Sequence, residues 1–268
     1  MTSYNQLSDE EMLRYARQIL LAGWDIDAQI RLKNSHVIIV GMGGLGCPLA
    51  ETLCRAGVGH LTLIDDDVID ESNLQRQSLF TPKDIGQLKA LVAKQKINKI
   101  NDFCKVEVIT QRLTLENYSQ LLNLTHKNSL SKLICDCSDN FKTRDHINQI
   151  TVKQNLPLLS ASAIAQTGQL ALFEPYLGTG CYHCLFPNQK YSESEEDDNQ
   201  TCATNGVLAS TTQIMGNLQA QAALTFLGLG KNSIAQTLLL WQGEQMNLRK
   251  LKYQQDKNCT VCGQSTVK

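Results

Sequence analysis

Residues 37–46 read VIIVGMGGLG, a short apolar run that passes directly into six residues with glycine at the first, third and sixth positions. A run of four β-branched apolar residues is typical of a buried strand. Residues 47–56 favour a helix, and residues 61–64 (LTLI) favour a second strand that ends at Asp65. The order strand, G-x-G-x-x-G, helix and strand predicts the first part of a nucleotide-binding α/β fold.

The glycine loop predicts a nucleotide site. The glycines expected to line it are Gly41, Gly43, Gly44 and Gly46. Glycines let backbone amides approach a phosphate closely, and the helix that follows presents its positive end to the same group. Asp65 stands about twenty residues after the loop, where it can accept hydrogen bonds from ribose hydroxyls. The alternative is a tight turn that binds nothing. It is the weaker interpretation, because the strand, the helix and the acid occur together with the glycines.

The composition of the 268 residues excludes several classes of protein. A net charge of -1 and a pI near 6.5 give no electrostatic reason to expect a nucleic acid or a membrane as partner. No apolar run reaches the roughly 18 residues of a membrane-spanning helix, and the polar N-terminus is unlike a signal peptide. Ten cysteines without such a signal indicate thiols and metal ligands in a reducing compartment, so we expect a cytoplasmic protein.

Strands and helices are predicted to alternate through residue 161. Residues 8–11 (SDEE) form a capping box that starts an N-terminal helix reaching about residue 21. Further helices are predicted at 28–33, 88–100, 115–124, 141–154 and 206–227, and further strands at 106–110, 133–135, 156–161, 169–173, 237–241 and 247–252. This alternation predicts an α/β, Rossmann-like, doubly wound and largely parallel sheet with antiparallel C-terminal strands.

Polar residues follow the predicted strands at the edge where parallel sheets bind ligands. Asn73 and Arg76 come after the second strand, and arginine suits phosphate because its planar fork donates two parallel hydrogen bonds. Their alternative role is to cap the next helix. Lys89 in the first turn of a helix and Arg17 on the N-terminal helix are, by themselves, typical of solvated faces. Asp139 has two interpretations, a magnesium ligand or the N-cap of the helix that follows it.

Two C-x-x-C pairs form the second strong pattern, and their thiols are Cys181, Cys184, Cys259 and Cys262. Four thiolates predict a closed tetrahedral zinc site with a structural role, which would fasten the C-terminal segment to the main body. A redox pair is a weaker alternative, because neither pair is predicted to open a helix after a strand. Unrelated buried thiols are the other alternative.

An acidic stretch lies between these pairs, with its carboxylates at Glu193, Glu195, Glu196, Asp197 and Asp198. Such a stretch cannot pack, so we expect a mobile loop over residues 190–202. Cys202 is either a small apolar filler or an accessible, activated thiol near the start of the last long helix. We expect one domain over residues 1–268, with N-terminal helices to about 35, a nucleotide-binding core over 36–175 and a zinc-stapled part over 176–268.

Five motifs in order resemble those of the MoeB/ThiF/HesA family, bacterial relatives of the ubiquitin-activating enzymes. They are RYARQI at 14–19, GMGGLG at 41–46, NLQRQ at 73–77, DCSDN at 136–140 and the two C-x-x-C pairs. The resemblance covers residues 7–263, and the N-terminal part resembles the MoeB members most. It implies that the protein uses ATP and magnesium to adenylate the C-terminal glycine carboxylate of a small ubiquitin-like sulfur-carrier protein.

The resemblance also implies roles for single residues. It assigns the phosphates to three side chains, those of Asn73, Arg76 and Lys89. Asp65 would bind the ribose, and Asp139 would hold the magnesium ion. Arg17 would reach into the active site of a second subunit, which implies a homodimer. Cys202 matches the cysteine that takes part in sulfur transfer in ThiF-like members, whereas adenylation in MoeB-like members does not depend on it.

The expected carrier is of the MoaD type, from molybdenum cofactor biosynthesis, with a ThiS-type carrier from thiamine biosynthesis as the alternative. The sulfur donor would be a separate protein, since no rhodanese-like domain follows Cys262. Two other classes stay open. A Rossmann oxidoreductase would use the same glycine loop but would leave Arg76, Lys89 and the cysteine pairs unexplained. A carrier-binding scaffold would bind ATP without turnover.

Overall fold

The computed structural model describes residues 6–122, 131–187 and 206–263. Its framework in these ranges is a mixed β-sheet. The strands are β1 (Ser35–Val40), β2 (His60–Ile64), β3 (Lys105–Ile109), β4 (Ser131–Asp136), β5 (Leu158–Ile164), β6 (Thr167–Phe173), β7 (Thr237–Gln242) and β8 (Asn247–Lys252). They lie in the order β3-β2-β1-β4-β5-β6-β7-β8.

The helices in the same ranges are α1 (Asp9–Ile19), α2 (Ile26–Lys33), α3 (Gly46–Ala56), α4 (Lys89–Ile100), α5 (Tyr118–Leu121), α6 (Phe141–Gln154), α7 (Tyr182–Leu185) and α8 (Ala209–Leu229). Helix α1 begins at the predicted capping box, in which Ser8 and Glu11 exchange side-chain and backbone hydrogen bonds. Among the helices of the described residues, none is long and apolar enough to cross a membrane.

The sheet changes from parallel to antiparallel at β5. Strands β1 to β5 pair in parallel, and β6, β7 and β8 each pair antiparallel to the strand before them in the sheet. The predicted largely parallel sheet with antiparallel C-terminal strands is therefore confirmed. Strand β1 lies between β2 and β4, so the connections leave it in opposite directions. In open α/β sheets such a point forms a crevice at the carboxyl ends of the strands.

Alternate side chains of the strands enter two hydrophobic cores. Val37 and Ile39 of β1 face a core that also takes in Leu49 of α3, Val92 of α4 and Met215 of α8. Their neighbours along β1 face the opposite core, to which α5 and α6 contribute. Because successive side chains of a strand point to opposite faces, a strand covered on both sides is apolar throughout. The predicted doubly wound arrangement follows from this.

Helix α8 packs closely on the rest of the fold because glycines stand at its contacts. A Cβ atom added to Gly216 would lie 2.6 Å from Pro48 Cγ, and one added to Gly168 of β6 would lie 2.4 Å from Met215. The helix runs from Ala209 to Leu229 rather than over the predicted 206–227. Leu208, inside the predicted range, is the N-cap of the helix and is 52% exposed.

One predicted helix is much shorter than expected. A helix was predicted over residues 115–124, but the helix in the structure, α5, begins only at Tyr118. Residues 123 and 124 lie outside the described ranges. Asn117 explains the late start, since its side chain accepts from the Thr114 amide at 2.8 Å and donates to the Arg112 carbonyl. Such local side-chain bonds compete with helix formation. The division of the chain into three parts of one domain stays a prediction.

Candidate functional site

The glycine loop lies between the ends of two neighbouring strands. The Gly41 amide donates to the Ile64 carbonyl of β2, and the Cys137 amide donates to the Val40 carbonyl of β1, both at 2.8 Å. Gly41 has a φ of +96°, and a Cβ atom there would lie 2.7 Å from the Cys137 carbonyl oxygen. The turn out of β1 therefore needs glycine for two reasons, backbone conformation and close contact with the segment after β4.

The other glycines of the loop differ in what surrounds them. A Cβ on Gly46 would lie 2.0 Å from the Gly41 carbonyl oxygen, and one on Gly44 would lie 3.0 Å from Thr212 of α8. At both positions, other atoms of the protein fill the space that a side chain would need. Gly43 is open by comparison, since its nearest neighbour would be the Gln77 side chain at 3.7 Å. Gly43 therefore has room for an added Cβ atom, which Gly44 and Gly46 lack.

Backbone amides of this loop are available to an anion. Among the described residues, no acceptor is hydrogen-bonded to the amides of Gly43, Gly44 and Leu45. Leu45 is the N-cap of α3, and its side chain makes no capping bond. Unpaired amides at the start of an 11-residue helix, where the helix dipole is positive, form a site for phosphate.

Asp65 connects the loop to the end of β2. Its Oδ2 accepts from the Met42 amide at 2.6 Å, and its Oδ1 accepts from the Asp67 amide at 2.9 Å. Burial raises the pKa of the Asp65 carboxyl above its ordinary value, while the nearby Lys89 ammonium opposes that rise. Each carboxylate oxygen keeps a second acceptor position, so the side chain can still accept from a hydroxyl group.

Lys89 is not the solvated side chain that its position in a helix suggested. Only 7% of it is exposed, and its Nζ lies 2.7 Å from Asp67 Oδ2. Its amide also donates to the Asp67 carbonyl at 3.0 Å. The solvated interpretation was therefore wrong: the fold buries the stem of Lys89 and holds its ammonium group beside the carboxyl ends of the strands.

Arg76 and Asn73 follow β2 in a short turn. The Arg76 Nη1 donates to the Ser72 carbonyl at 3.0 Å, and the Gln213 side chain of α8 donates to the Arg76 carbonyl at the same distance. A Cβ on Gly44 would lie 3.3 Å from Arg76 Cγ, so this arginine borders the glycine loop. The Asn73 side chain accepts from the Asp70 amide and closes a capping box on the short turn Glu71–Asn73, to which it belongs, and not on the helix that follows.

Asp139 does not cap α6. The N-cap is Asn140, whose Oδ1 accepts from the Thr143 amide at 2.9 Å, so the capping interpretation of Asp139 was wrong. Asp139 is exposed at the end of β4, two residues after Cys137, which touches the glycine loop. It forms no ion pair with any cation of the described ranges. Its Oδ1 accepts one long hydrogen bond, from the Asn140 side chain at 3.4 Å, so the carboxylate can still bind a cation at the ligand edge.

Sequence patterns missed a buried ion pair beneath Asp139. Asp136, the last residue of β4, is completely buried, and the Arg144 Nε of α6 lies 3.0 Å from its Oδ2. Burial would lower the pKa of Arg144, but the Asp136 carboxylate raises it, so the guanidinium stays charged. A charged residue directly after an apolar strand was the available signal, as at Asp65. Its partner eight residues later could not be identified without knowing which side of α6 is buried.

Arg17 lies far from the glycine loop of its own chain. It is exposed on α1, and among the described residues it forms no ion pair. The next residue, Gln18, donates to the Ala56 carbonyl at the end of α3. The loop is at the other end of α3, about 15 Å away for an 11-residue helix. Within one chain, Arg17 is therefore not part of this site.

The four cysteines of the two C-x-x-C pairs form one cluster. Their sulfur atoms all lie within 4.8 Å of one another, with 3.8 Å between Cys181 and Cys259 and 3.4 Å between Cys184 and Cys262. Tetrahedral zinc with bonds of about 2.3 Å to sulfur separates its ligands by about 3.8 Å. The amide of Asp256 donates to the Cys184 sulfur, as suits a thiolate ligand. The cluster could hold a metal ion such as zinc.

The first C-x-x-C pair opens a helix, since Cys181 is the N-cap of α7, but a 3-10 turn (Pro175–Leu177) separates that helix from β6. That helix has only four residues, and both cysteines contact those of the second pair. His183 lies outside the group of ligands, and its Nε2 is 3.3 Å from Thr260 Oγ1. Cys202 and the acidic stretch 193–198 lie outside the described residues.

The model of the family described as "ThiF family" matches residues 15–261 of the chain. The chain belongs to the ThiF family. It is 39% identical over 261 residues to the sulfur carrier protein ThiS adenylyltransferase of Escherichia coli K12, a match that covers 97% of this chain and 99% of the relative. It is 36% identical over 260 residues to the molybdopterin-synthase adenylyltransferase of the same organism, with coverage of 97% and 99%.

A solved structure of similar fold comes from E. coli MccB in complex with MccA. The two chains are 26% identical with a TM-score of 0.78, over 97% of this chain and 76% of MccB. The two curated relatives are named adenylyltransferases, and this ThiF-family member is an adenylyltransferase. The resemblance stated from sequence motifs is thereby confirmed.

Proposed function

We propose that the protein uses ATP and magnesium to adenylate the C-terminal glycine carboxylate of a small ubiquitin-like sulfur-carrier protein, releasing pyrophosphate. The observation that carries this proposal is the arrangement of charges at one sheet edge. The glycine-loop amides, for which the described residues supply no acceptor, follow β1. The cations Arg76 and Lys89 lie in the segment after β2, and the exposed carboxylate of Asp139 follows β4. Relatives that act on ThiS and on molybdopterin synthase support the type of substrate.

Each group has a task that its position suits. The amides of Gly43 and Gly44 would donate to phosphate oxygens, because the described residues leave both donors without an acceptor. Asp65 would accept from the ribose hydroxyls, and Asn73 would contact a phosphate once its side chain leaves the capping box. Asp139 would bind magnesium, which needs few protein ligands because it keeps several waters. When bound, that ion would spread the negative charge of the phosphates.

The reaction needs no protein nucleophile. An oxygen of the carrier carboxylate attacks the α-phosphorus, a new P–O bond forms, and the bond to the β-phosphate oxygen breaks as pyrophosphate leaves. The protein has to hold two anions together and stabilise the charge that moves to the leaving group. Arg76 can donate from its planar fork, and Lys89 supplies a point charge whose position is fixed by Asp67.

Three further parts of the proposal lie outside the nucleotide crevice. The cysteine cluster would hold a structural zinc ion and close the C-terminal segment on α7. Arg17 would complete the site of a partner subunit in a homodimer. Cys202 would take part in sulfur transfer only if the protein also carries out that later step, with a separate protein as sulfur donor.

Two types of carrier protein are candidate substrates, and they have to be compared directly. A MoaD-type carrier is our first candidate, because residues 7–15 resemble the start of the MoeB members. A ThiS-type carrier is the second, because the ThiS adenylyltransferase is 39% identical to this chain against 36% for the molybdopterin-synthase enzyme. A difference this small does not separate two substrates.

ATP–pyrophosphate exchange tests the function. The purified protein would be assayed with a MoaD-type and a ThiS-type carrier separately, with and without Mg²⁺. We expect exchange with one carrier, dependent on Mg²⁺ and reduced at least about 100-fold in Asp139→Ala and Lys89→Met, which remove charge stabilisation at the reacting phosphates. A carrier that lacks its last glycine is the matched control. Absence of exchange with both carriers, in protein that binds ATP, would favour the scaffold interpretation.

A further inference from the structure

Ser138, the residue directly before Asp139, forms hydrogen bonds with two buried charged side chains. Ser138 is 8% exposed, and its amide and hydroxyl donate to Asp136 Oδ1 at 3.0 and 2.5 Å. The other oxygen of Asp136 accepts from the Ser160 hydroxyl of β5 at 2.6 Å. Because Asp136 is fully buried, it cannot itself contact a substrate, yet it fixes the backbone from which Asp139 projects.

Arg144 closes this network from the opposite direction. Its Nε faces Asp136 Oδ2, and its Nη2 donates to two backbone carbonyls, that of Ser138 at 2.7 Å and that of Ala161 at 3.2 Å. The side chain thereby connects α6 with the ends of β4 and β5. Ser138 is left with its amide, hydroxyl and carbonyl all engaged, so the peptide leading into Asp139 has one orientation.

The cysteine cluster holds the outer side of Arg144. The guanidinium carbon lies 5.7 Å from the centre of the Tyr182 ring, and Tyr182 follows the ligand Cys181. Asn148 fastens both, since it accepts from the Tyr182 amide at 2.9 Å and donates to the Cys181 sulfur at 3.6 Å. Arg144 therefore lies between the cluster and the Asp139 segment, packed on each side.

Stability alone explains such a pair poorly. A buried ion pair is often no more stabilising than apolar side chains of the same volume, because the desolvation of both charges offsets their attraction. Fixed geometry is what the pair provides here, since a planar fork can hold a carboxylate and two carbonyls at once. A point charge such as lysine cannot make the same set of contacts.

We infer that Arg144 is a positioning residue for magnesium binding: through Asp136 and Ser138 it sets the direction of the Asp139 carboxylate. This inference rests on the proposed role of Asp139. Residues that orient a metal ligand without touching the metal commonly change its affinity about 10- to 100-fold when replaced. Loss of the Arg144 fork should therefore weaken the response to Mg²⁺ while ATP binding without Mg²⁺ stays the same.

The experiment measures ATP affinity by calorimetry across a Mg²⁺ titration and again in chelator, which requires no carrier. For Arg144→Lys we expect the half-maximal Mg²⁺ concentration to rise about tenfold, with ATP affinity in chelator changed less than twofold. Arg55→Lys is the matched control, because it makes the same substitution in an exposed ion pair on α3. A Mg²⁺ midpoint within twofold of the unchanged protein would overturn the inference.

Two further variants keep the outcomes distinct. Asp139→Asn should abolish the Mg²⁺ response; if it does not, the magnesium assignment fails, and the role of Arg144 fails with it. A shift in Asp139→Asn without one in Arg144→Lys overturns the Arg144 role alone. Should Arg144→Lys fail to fold, the double variant Asp136→Asn with Arg144→Met removes both buried charges, and the same tenfold shift is then expected of it.

Discussion

Two glycines of the loop show how single residues separate folding from binding. Gly41 has a positive φ and no room for a Cβ atom, whereas Gly43 has room for one. We expect Gly41→Ala to lower the free energy of unfolding by about 2 kcal/mol or more, through strain and contact with Cys137. Gly43→Ala, the matched control, should change it by less than about 0.5 kcal/mol. Urea unfolding measures both, and equal losses would contradict the assignment.

A histidine stack at the start of β1 and β2 makes the fold sensitive to acid. The rings of His36 and His60 lie 3.9 Å apart and nearly parallel, and burial, followed by the His60 charge, lowers the pKa of His36 to about 3. The unfolded chain binds a proton at His36 near pH 6.5, before the folded chain does. Stability is therefore complete above that pH and falls as the pH drops toward 3, by about 2 kcal/mol between pH 7 and 5.

Urea unfolding at pH 7 and pH 5 tests the histidine effect. His36→Gln should lose less stability between the two pH values than the unchanged protein, by up to about 2 kcal/mol. His146→Gln on α6 serves as control, since it removes a histidine outside the stack. An undiminished pH dependence in His36→Gln would show that other groups cause it.

At the scale of elements, the start of α6 separates a structural residue from a functional one. Asn140 caps the helix, and Asp139 beside it does not. We expect Asn140→Ala to lose about 1 kcal/mol of stability, as is usual for an N-cap. Asp139→Ala should stay within about 0.5 kcal/mol while losing Mg²⁺-dependent exchange. Thermal unfolding and exchange on the two variants give the comparison; a larger stability loss in Asp139→Ala would restore its capping role.

The elements that sequence predicts best are those whose signals are local. Strand, loop, helix and acid over residues 37–65 follow from periodicity and glycine spacing, and the structure agrees within a residue or two. Helix α5 differs because Asn117 bonds to its own neighbours. The burial of Lys89 and of Arg144 was not predicted for another reason: it depends on partners contributed by the fold, Asp67 and Asp136. Spacing along a chain does not reveal such pairs.

At the scale of the whole molecule, the cysteine cluster joins the two ends of the C-terminal part. We expect about one zinc ion per chain and, after removal by a strong chelator, a lower midpoint of thermal unfolding and faster proteolysis around residues 253–263. Metal analysis and limited proteolysis measure these. Cys259→Ser should behave in the same way. Cys104→Ser, a buried cysteine outside the cluster, should keep its zinc; unchanged proteolysis in Cys259→Ser would argue against a stapling role.

The proposed homodimer predicts that each active site needs residues from two chains. Arg17 lies at the far end of α3 from its own glycine loop, so a working site would take it from a partner. Arg17→Ala and Lys89→Met should each be inactive in exchange, yet their mixture should recover about a quarter of full activity, since half the dimers are mixed and each has one complete site. Inactivity of the mixture, with subunit exchange verified, would contradict a role of Arg17 in the partner's site. An active Arg17→Ala variant would place Arg17 outside the reaction.

The distance between the two cysteine pairs also orders events in time. Cys184 and Cys259 are separated by 74 residues, and the whole of α8, β7 and β8 is synthesised between them. A nascent chain can therefore present two thiolates long before it can present four. Metal capture becomes possible only after every strand of the sheet has left the ribosome. A site that uses all four thiolates would therefore form only in chains in which translation has passed β8.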